Sequence, residues 1–334
     1  MTHKIGVLGL HHDHVWGNLE ELLRTGKAEL VGAADPNIEL LEKYQGQFGG
    51  QIFENYDDLL AQEDLTAVYL FASNKACEDL AVKAASRGLH CLVEKPMAAS
   101  LEGAQKMLEA ARQNGIRLMI NWPFLWWPQL RFAIDLAKSG RIGDLWQVRY
   151  RAAHQGPVEL GCSKYFCEWL YDKELNGAGA MMDYCCYGAA LCQVLLGSPT
   201  SVHGVGLNTG TKPDLTLEDN AVLILKYPGA LGVTEASWTQ IGKLTAYNTS
   251  IYGTTGTLYM EPDHGGKIWL ATAEDEAGSP LEIPETPWHF ETASNHFLTA
   301  IEDPAFELHP LCDPEICCDA QAILHVGAEV IQED

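Results

Sequence analysis

The sequence predicts an α/β chain whose first part is a doubly wound parallel sheet and whose second part carries a further long sheet. Three observations carry this reading. From Ile5 to Asn121, short apolar runs alternate with amphipathic helical ones, which implies parallel strands with helices on both faces. The first strand, turn, helix and second strand end on an acid, Asp35, which is the layout of a dinucleotide-binding unit. From Ala221 onward, strand-like runs follow one another with only turn residues such as Tyr227-Pro228-Gly229 between them.

Composition narrows the function classes. The chain has 334 residues, 47% hydrophobic and 20% charged, ordinary values for a globular protein with room for two cores. With 22 basic and 45 acidic side chains the net charge is −23, the wrong sign for nucleic acid or an anionic membrane surface. No apolar run is expected to reach the ~18 residues of a membrane span, and the N-terminus enters a strand directly, without a secretory leader. Ten cysteines on such a chain read as reduced thiols, and the expected location is cytoplasmic.

The first strand is Ile5 to Gly9, the helix after it runs from about Val15 to Arg24, and Glu29 to Asp35 is the second strand. An acid at that strand end suits the adenosine ribose hydroxyls of NAD and repels the 2′-phosphate of NADP, so NAD is the expected cofactor and NADP the lesser one. The turn departs from the glycine fingerprint. It reads Gly9-Leu10-His11-His12-Asp13-His14, so only the first glycine remains and His11 and His14 stand in the other two places. Those rings must be turned aside, or the turn must be wider. Gly9, Leu10, His11, His12 and Asp35 are the expected cofactor contacts here. The histidine run also invites a metal, but neighbours in a turn converge poorly on one ion, and neither His-Glu-x-x-His nor Cys-x-x-Cys spacing occurs. No metal is expected.

Strands at Thr66–Ala72, Leu89–Val93 and Arg117–Asn121 and helices at Ala76–Arg87 and Leu101–Asn114 complete the first part. Ligands gather beyond the carboxyl ends of such strands, which brings Ser73, Asn74, Glu94 and Lys95 to the cofactor edge. Pro96 fixes its own φ and biases Lys95 away from helix, so the amine is aimed.

Taken together, Ile5-Gly6-Val7-Leu8-Gly9, Asp35-Pro36, Gly88 to Pro96 with its Glu94-Lys95-Pro96, and Gly177-Ala178-Gly179-Ala180-Met181-Met182-Asp183 resemble the glucose–fructose oxidoreductase/inositol dehydrogenase/rhizopine-catabolism (Gfo/Idh/MocA) family. The resemblance covers most of the chain. It implies a Rossmann domain over 1–121 and, over 122–334, an α+β domain with an open, mostly antiparallel sheet that binds substrate and forms oligomers. It also implies NAD(P)-linked oxidation of sugars, cyclitols or related alcohols, with Lys95 as the catalytic lysine. Besides the altered turn, Cys77 stands where many members carry histidine.

In the second part, Trp122-Pro123-Phe124-Leu125-Trp126-Trp127-Pro128 reads as a crossover whose rings, Trp122 and Trp126 among them, either face a sugar or simply pack. A helix over about Gln129–Ser139 and a strand over Asp144–Ala153 follow. Asp183 and Tyr187 are spaced i, i+4 at the start of a helix running to about Leu196, hence on one face. Most family members have histidine four residues after this aspartate; the tyrosine resembles the branch of glucose–fructose oxidoreductase and dihydrodiol and xylose dehydrogenases. Tyr187 would move the hydroxyl proton with Lys95 as the cation that lowers its pKa, and Asp183 would orient substrate or lysine. His154 and His289 are further residues that could reach the cleft. Strands at Ala221–Lys226, Ala230–Trp238, Thr249–Tyr252 and Gly256–Met260 would leave a sheet face for a homodimer or homotetramer. Helices at about Phe290–Ile301 and Pro314–Ile331 close the chain.

The expected function is hydride transfer between nicotinamide and a hydroxyl or keto carbon of a sugar-like substrate. Two alternatives stand beside it: a lyase or glycosidase that keeps its NAD and oxidises only transiently, and a non-catalytic sugar or NAD sensor.

Overall fold

The computed structural model describes residues 2–262 and 265–332. In chain order the first elements are β1 (His3–Leu8), α1 (His14–Arg24), β2 (Ala28–Ala34), α2 (Ile38–Phe48), β3 (Gln51–Phe53), α3 (Tyr56–Leu60), β4 (Ala67–Leu70), α4 (Asn74–Ser86), β5 (His90–Glu94), α5 (Leu101–Asn114) and β6 (Leu118–Asn121). There follow α6 (Pro128–Lys138), β7 (Leu145–Ala153), α7 (Lys164–Leu170), α8 (Lys173–Asn176), a π-helical turn (Met181–Cys185) and α9 (Cys186–Leu196). The strands β8 (Ser201–Leu207), β9 (Asn220–Tyr227), β10 (Ala230–Ser237), β11 (Asn248–Gly253), β12 (Thr257–Met260), β13 (Ile268–Ala271) and β14 (Ser279–Leu281) precede α10 (Ala293–Glu302) and α11 (Pro314–Gln332).

The chain divides into two compact units. One holds the chain up to Asn121 together with Cys162–Gly177 and Trp288–Cys318; the other holds Trp122–Gly161, Ala178–Pro287 and the chain from Asp319 on.

Among the described residues, the first unit is built on a six-stranded sheet in the order β3-β2-β1-β4-β5-β6. Every neighbouring pair in it is parallel. The strands are apolar on both faces because helices cover both, and β4, β5 from Cys91 on, and β6 are buried throughout. Order reverses between β1 and β4, which puts the β1–α1 turn and the ends of β4 and β5 at the switch point where such sheets bind ligands. The helices form for local reasons. In α1, Val15, Leu19 and Leu22 make one buried stripe. Asn37 caps α2 by accepting from the Glu39 and Leu40 amides, a bond whose loss typically costs ~1 kcal/mol. Ser100 caps α5, which ends on Gly115 in the left-handed region, as predicted over Leu101–Asn114. The sequence pattern does not reveal α2, β3 and α3; their apolar positions are interleaved with charged and amide side chains.

The second unit is built on an eight-stranded sheet in the order β14-β13-β12-β11-β7-β10-β9-β8, antiparallel except for the β7–β10 pair. The helix α9 packs on β7 and β10, and Gly188 makes this possible: a Cβ there would stand 2.2 Å from Thr234 Oγ1. One expectation is corrected. The run Lys173–Leu196 is long and apolar enough to pass for a membrane span by length and composition, and 83% of its apolar window is buried inside the fold. It is core, because α9 alone buries every residue from Cys186 to Gln193.

Candidate active site

In the first unit the site begins at Gly9. Its φ of 85° belongs to the left-handed region, and a Cβ would lie 2.4 Å from the Ala72 amide nitrogen, so only glycine allows the turn to lie against the end of β4. The turn then folds onto itself. The Leu10 amide donates to Asp35 Oδ2 at 2.7 Å, the His12 amide to the Phe71 carbonyl at 2.9 Å, and the His14 amide to His12 Nδ1 at 3.2 Å.

The two histidines that replace fingerprint glycines are both turned aside onto carboxylates. His11 Nδ1 lies 3.3 Å from Asp35 Oδ2, and His14 Nδ1 lies 3.1 Å from Glu94 Oε1. Asp35 is fully buried, and the Asn37 amide donates to its other oxygen at 2.7 Å. Burial pushes its carboxyl upward, while His11 and the two amides pull it back. Glu94 Oε2 accepts from Asn121 Nδ2 at 2.7 Å, and Asn121 also donates to Asn18 Oδ1 at 3.1 Å.

His12, expected at the cofactor edge, is buried. Its ring is enclosed by Phe71, Phe166 and Trp169 at centroid distances of 6.4, 4.7 and 5.8 Å. Burial, with smaller contributions from the neighbouring His14 and Lys95, holds the His12 imidazole well below its ordinary range, so it is neutral. The enclosing rings come from α7, some 150 residues downstream, which is why the turn alone could not reveal them. The expectation that the histidine run cannot converge also needs revision, because Glu94 arrives from β5: ligand atoms of His12, His14 and Glu94 all lie within 4.8 Å of one another.

Lys95 follows the last residue of β5, is 3% exposed, and its amide donates to the Asn121 carbonyl at 3.1 Å. The Lys95–Pro96 bond is cis. Ser73 caps α4 through the Ala76 amide, and Asn74 donates to Asn176 Oδ1 at 2.8 Å, so both predicted cofactor residues also hold the local fold.

In the second unit, Asp183 lies in the π-helical turn, a feature that often marks functional positions. Trp238 Nε1 donates to Asp183 Oδ2 at 3.1 Å and fixes the carboxylate. Tyr187 stands one turn further on, in α9, stacked on Phe124 (4.9 Å) and Tyr150 (5.7 Å) with Trp122 edge-on at 5.3 Å. Trp122 and Trp126 are themselves buried. The open rings of that segment belong to Phe124 and Trp127, which with His154, Gln155, Gln240 and Tyr247 line a cavity of about 490 Å³. The Tyr247 and Tyr184 hydroxyls lie 3.0 Å apart, and His154 Nδ1 accepts from the Gly156 amide at 2.8 Å. A neutral His154 in that tautomer carries its proton on Nε2. Of the two histidines flagged in the sequence, His154 therefore lines the cavity, whereas His289 packs against Phe290 and Phe306 in the first unit. Sequence reasoning missed Tyr247, Tyr184 and Trp238; the last closes a predicted strand and gave no other signal.

Comparison with known proteins agrees with this architecture. Residues 4–122 match the family described as oxidoreductase family, NAD-binding Rossmann fold, and residues 130–259 match the GFO/IDH/MocA C-terminal domain. The chain belongs to the Gfo/Idh/MocA family. Among family relatives, dTDP-3,4-didehydro-2,6-dideoxy-alpha-D-glucose 3-reductase of Actinomadura kijaniata is 27% identical over 77% of this chain and 74% of its own. The 1,5-anhydro-D-fructose reductase of Ensifer adhaerens is 26% identical over 84% of this chain and 83% of its own. In fold, the aldose-aldose oxidoreductase of Caulobacter crescentus, crystallised with glycerol, superposes with a TM-score of 0.82 at 19% identity, covering 100% of this chain and 98% of the other.

The fit of a dinucleotide can be judged on the residues present. Gly9 makes the tight turn and Lys95 follows β5, both of which suit the group. Asp35 stands at the end of β2 but is fully buried with both oxygens engaged, so it would act on a ribose through its charge rather than through a direct bond. The pyrophosphate cradle differs, since the Leu10, His12 and His14 amides are engaged within the protein. Contacts to phosphate would have to come from elsewhere in the turn.

Proposed function

We propose that the protein is an NAD-dependent oxidoreductase acting on a CH–OH carbon of a sugar, cyclitol or related polyol. The observation that carries the reading is Lys95, an amine buried to 3% exposure at the carboxyl end of a strand in a dinucleotide-type sheet. An ammonium held at that edge of the sheet can stabilise a developing alkoxide. NAD, when bound, supplies the hydride acceptor. Gly9, Leu10, His11, Asp35, Ser73, Asn74 and Glu94 are the residues that would hold or brace it, and Asp35 favours NAD over NADP because a fixed carboxylate repels a 2′-phosphate.

In the second unit, the cavity walls support a sugar-like substrate. Phe124, Trp127 and Tyr247 offer ring faces for C–H groups, while His154, Gln155 and Gln240 offer polar partners. Tyr187 would move the hydroxyl proton, and Asp183, held by Trp238, would orient the substrate. A deciding experiment is NAD titration followed by a panel of sugars and cyclitols monitored for NADH at 340 nm. Hydride transfer predicts a substrate-dependent rise. With no rise on any member, product formation without net NADH would mark the NAD-retaining reading, and NAD binding without turnover the sensor reading, which the engaged turn amides support.

We also infer self-association through the outer face of the eight-stranded sheet. Val205, Leu207, Val222, Ile224 and Leu231 are exposed there, with Val205 paired to Val222 across β8 and β9. Molar mass in solution tests it: Val222→Lys with Ile224→Lys should yield a smaller species than the parent.

A further inference from the structure

We propose that His12, His14 and Glu94 form a binding site for one divalent transition-metal ion of the zinc class at the switch point of the first sheet. Their ligand atoms lie within 4.8 Å of one another, a spacing that side-chain rotation would draw in to the ~3.3 Å between ligands standing about 2 Å from a tetrahedral ion. Two imidazoles and one carboxylate make an N₂O set, which suits zinc, cobalt or nickel over calcium or magnesium, whose preferred ligands are oxygens.

The surroundings are those of a built site. Glu94 is held on its far oxygen by Asn121 Nδ2 at 2.7 Å, and Asn121 is held in turn by Asn18 at 3.1 Å; such outer bonds orient a ligating carboxylate. His14 points Nδ1 at Glu94 Oε1 at 3.1 Å, so an ion would take the place of the proton shared by these two atoms, which would leave to solvent. His12 would ligate through Nδ1 and give up the bond it accepts from the His14 amide at 3.2 Å. His12 is buried, whereas the His14 side chain is 42% exposed, which gives an entry path and leaves positions open for water. Three protein ligands with open positions are the pattern of a reactive rather than a structural zinc. Lys95 stands near enough to influence His12, and its positive charge argues for moderate affinity.

The same set accounts for an oddity of the turn. His14 stands where the fingerprint has glycine, and its replacement by histidine is explained if the ring is a ligand.

The test uses the full chain, stripped with a chelator and free of NAD, so that its outcome is independent of the hydride-transfer reading. Titration with Co²⁺ should give the visible d–d bands of a nitrogen–oxygen site at one ion per chain, and Zn²⁺ should displace them. His14→Ala and Glu94→Gln should each weaken binding about ten-fold or more while His203→Ala leaves it unchanged. Circular dichroism checks folding; because His14 is half exposed, its variant carries the test should Glu94→Gln misfold. Absence of a stoichiometric cobalt spectrum, or equal affinity in parent and His14→Ala, overturns the proposal.

Discussion

His11 Nδ1 lies 3.3 Å from the fully buried Asp35 Oδ2, so the side chain that displaces the second fingerprint glycine is tied to the acid that closes the second strand. The imidazole is thereby a brace for the turn as well as an obstruction in it.

A first prediction follows for cofactor binding. His11→Gly restores the fingerprint residue but leaves a buried carboxylate short of a partner, a loss of ~1–3 kcal/mol. NAD should therefore bind about ten-fold more weakly in the variant, and the parent should prefer NAD to NADP by about ten-fold or more. Fluorescence titration of both dinucleotides reads both numbers. Tighter NAD binding by His11→Gly would make the ring a mere obstacle, and equal affinity for NAD and NADP would remove Asp35 from the ribose site.

The lysine supplies the second. Lys95→Ala should lower kcat by ~10² or more if the amine stabilises developing charge, with circular dichroism unchanged. Normal turnover in this variant would reduce Glu94-Lys95-Pro96 to the end of a strand.

How far the sequence reveals these features depends on how local they are. The helix over Leu101–Asn114 and the lysine after β5 are written in adjacent residues: a cap, an apolar run, a terminal glycine, a proline. The fate of His12 is not, because Phe166 and Trp169, which enclose it, arrive from α7. The same holds for Asp183 and Trp238, 55 residues apart and joined only once the helix lies on the sheet. Trp122 and Trp126 were indistinguishable in sequence from Trp127; the 3₁₀ turn Pro123–Trp126 decides which rings are buried and which line the cavity.

The cysteines give a third prediction. None of the ten is in a disulfide, and burial pushes Cys77 and Cys192 up to about 12 and Cys91 and Cys185 upward as well. The thiolate is the reactive form, so at pH 8 a thiol with pKa near 12 presents roughly one part in 10⁴ of it. Alkylation of the folded protein followed by peptide mapping should leave Cys77 unmodified over hours, with Cys162, the half-buried one, labelled first. In denaturant all ten should react. Rapid labelling of Cys77 in the native protein would show that the first turn of α4 opens far more readily than this packing allows.

The last prediction decides the proton path. Tyr187 is stacked between Phe124 and Tyr150, at 4.9 and 5.7 Å, so Tyr187→Phe keeps the ring contacts and removes only the hydroxyl. If that hydroxyl moves the substrate's proton, kcat should fall by ~10² while KM changes little, the signature of an interaction made in the transition state. The pH profile separates it from histidine. An imidazole base titrates near ~6.5, whereas a phenol gives an oxidation rate that climbs through an alkaline limb. Of the neighbouring phenols, burial holds Tyr150 and Tyr184 well above their ordinary range, and Tyr247→Phe is the control for the third. An alkaline limb present in the parent and lost in Tyr187→Phe therefore belongs to Tyr187. Should the variant keep both the limb and the rate, Tyr187 is a packing residue. The proton then passes through Lys95 or through His154, the histidine that lines the cavity.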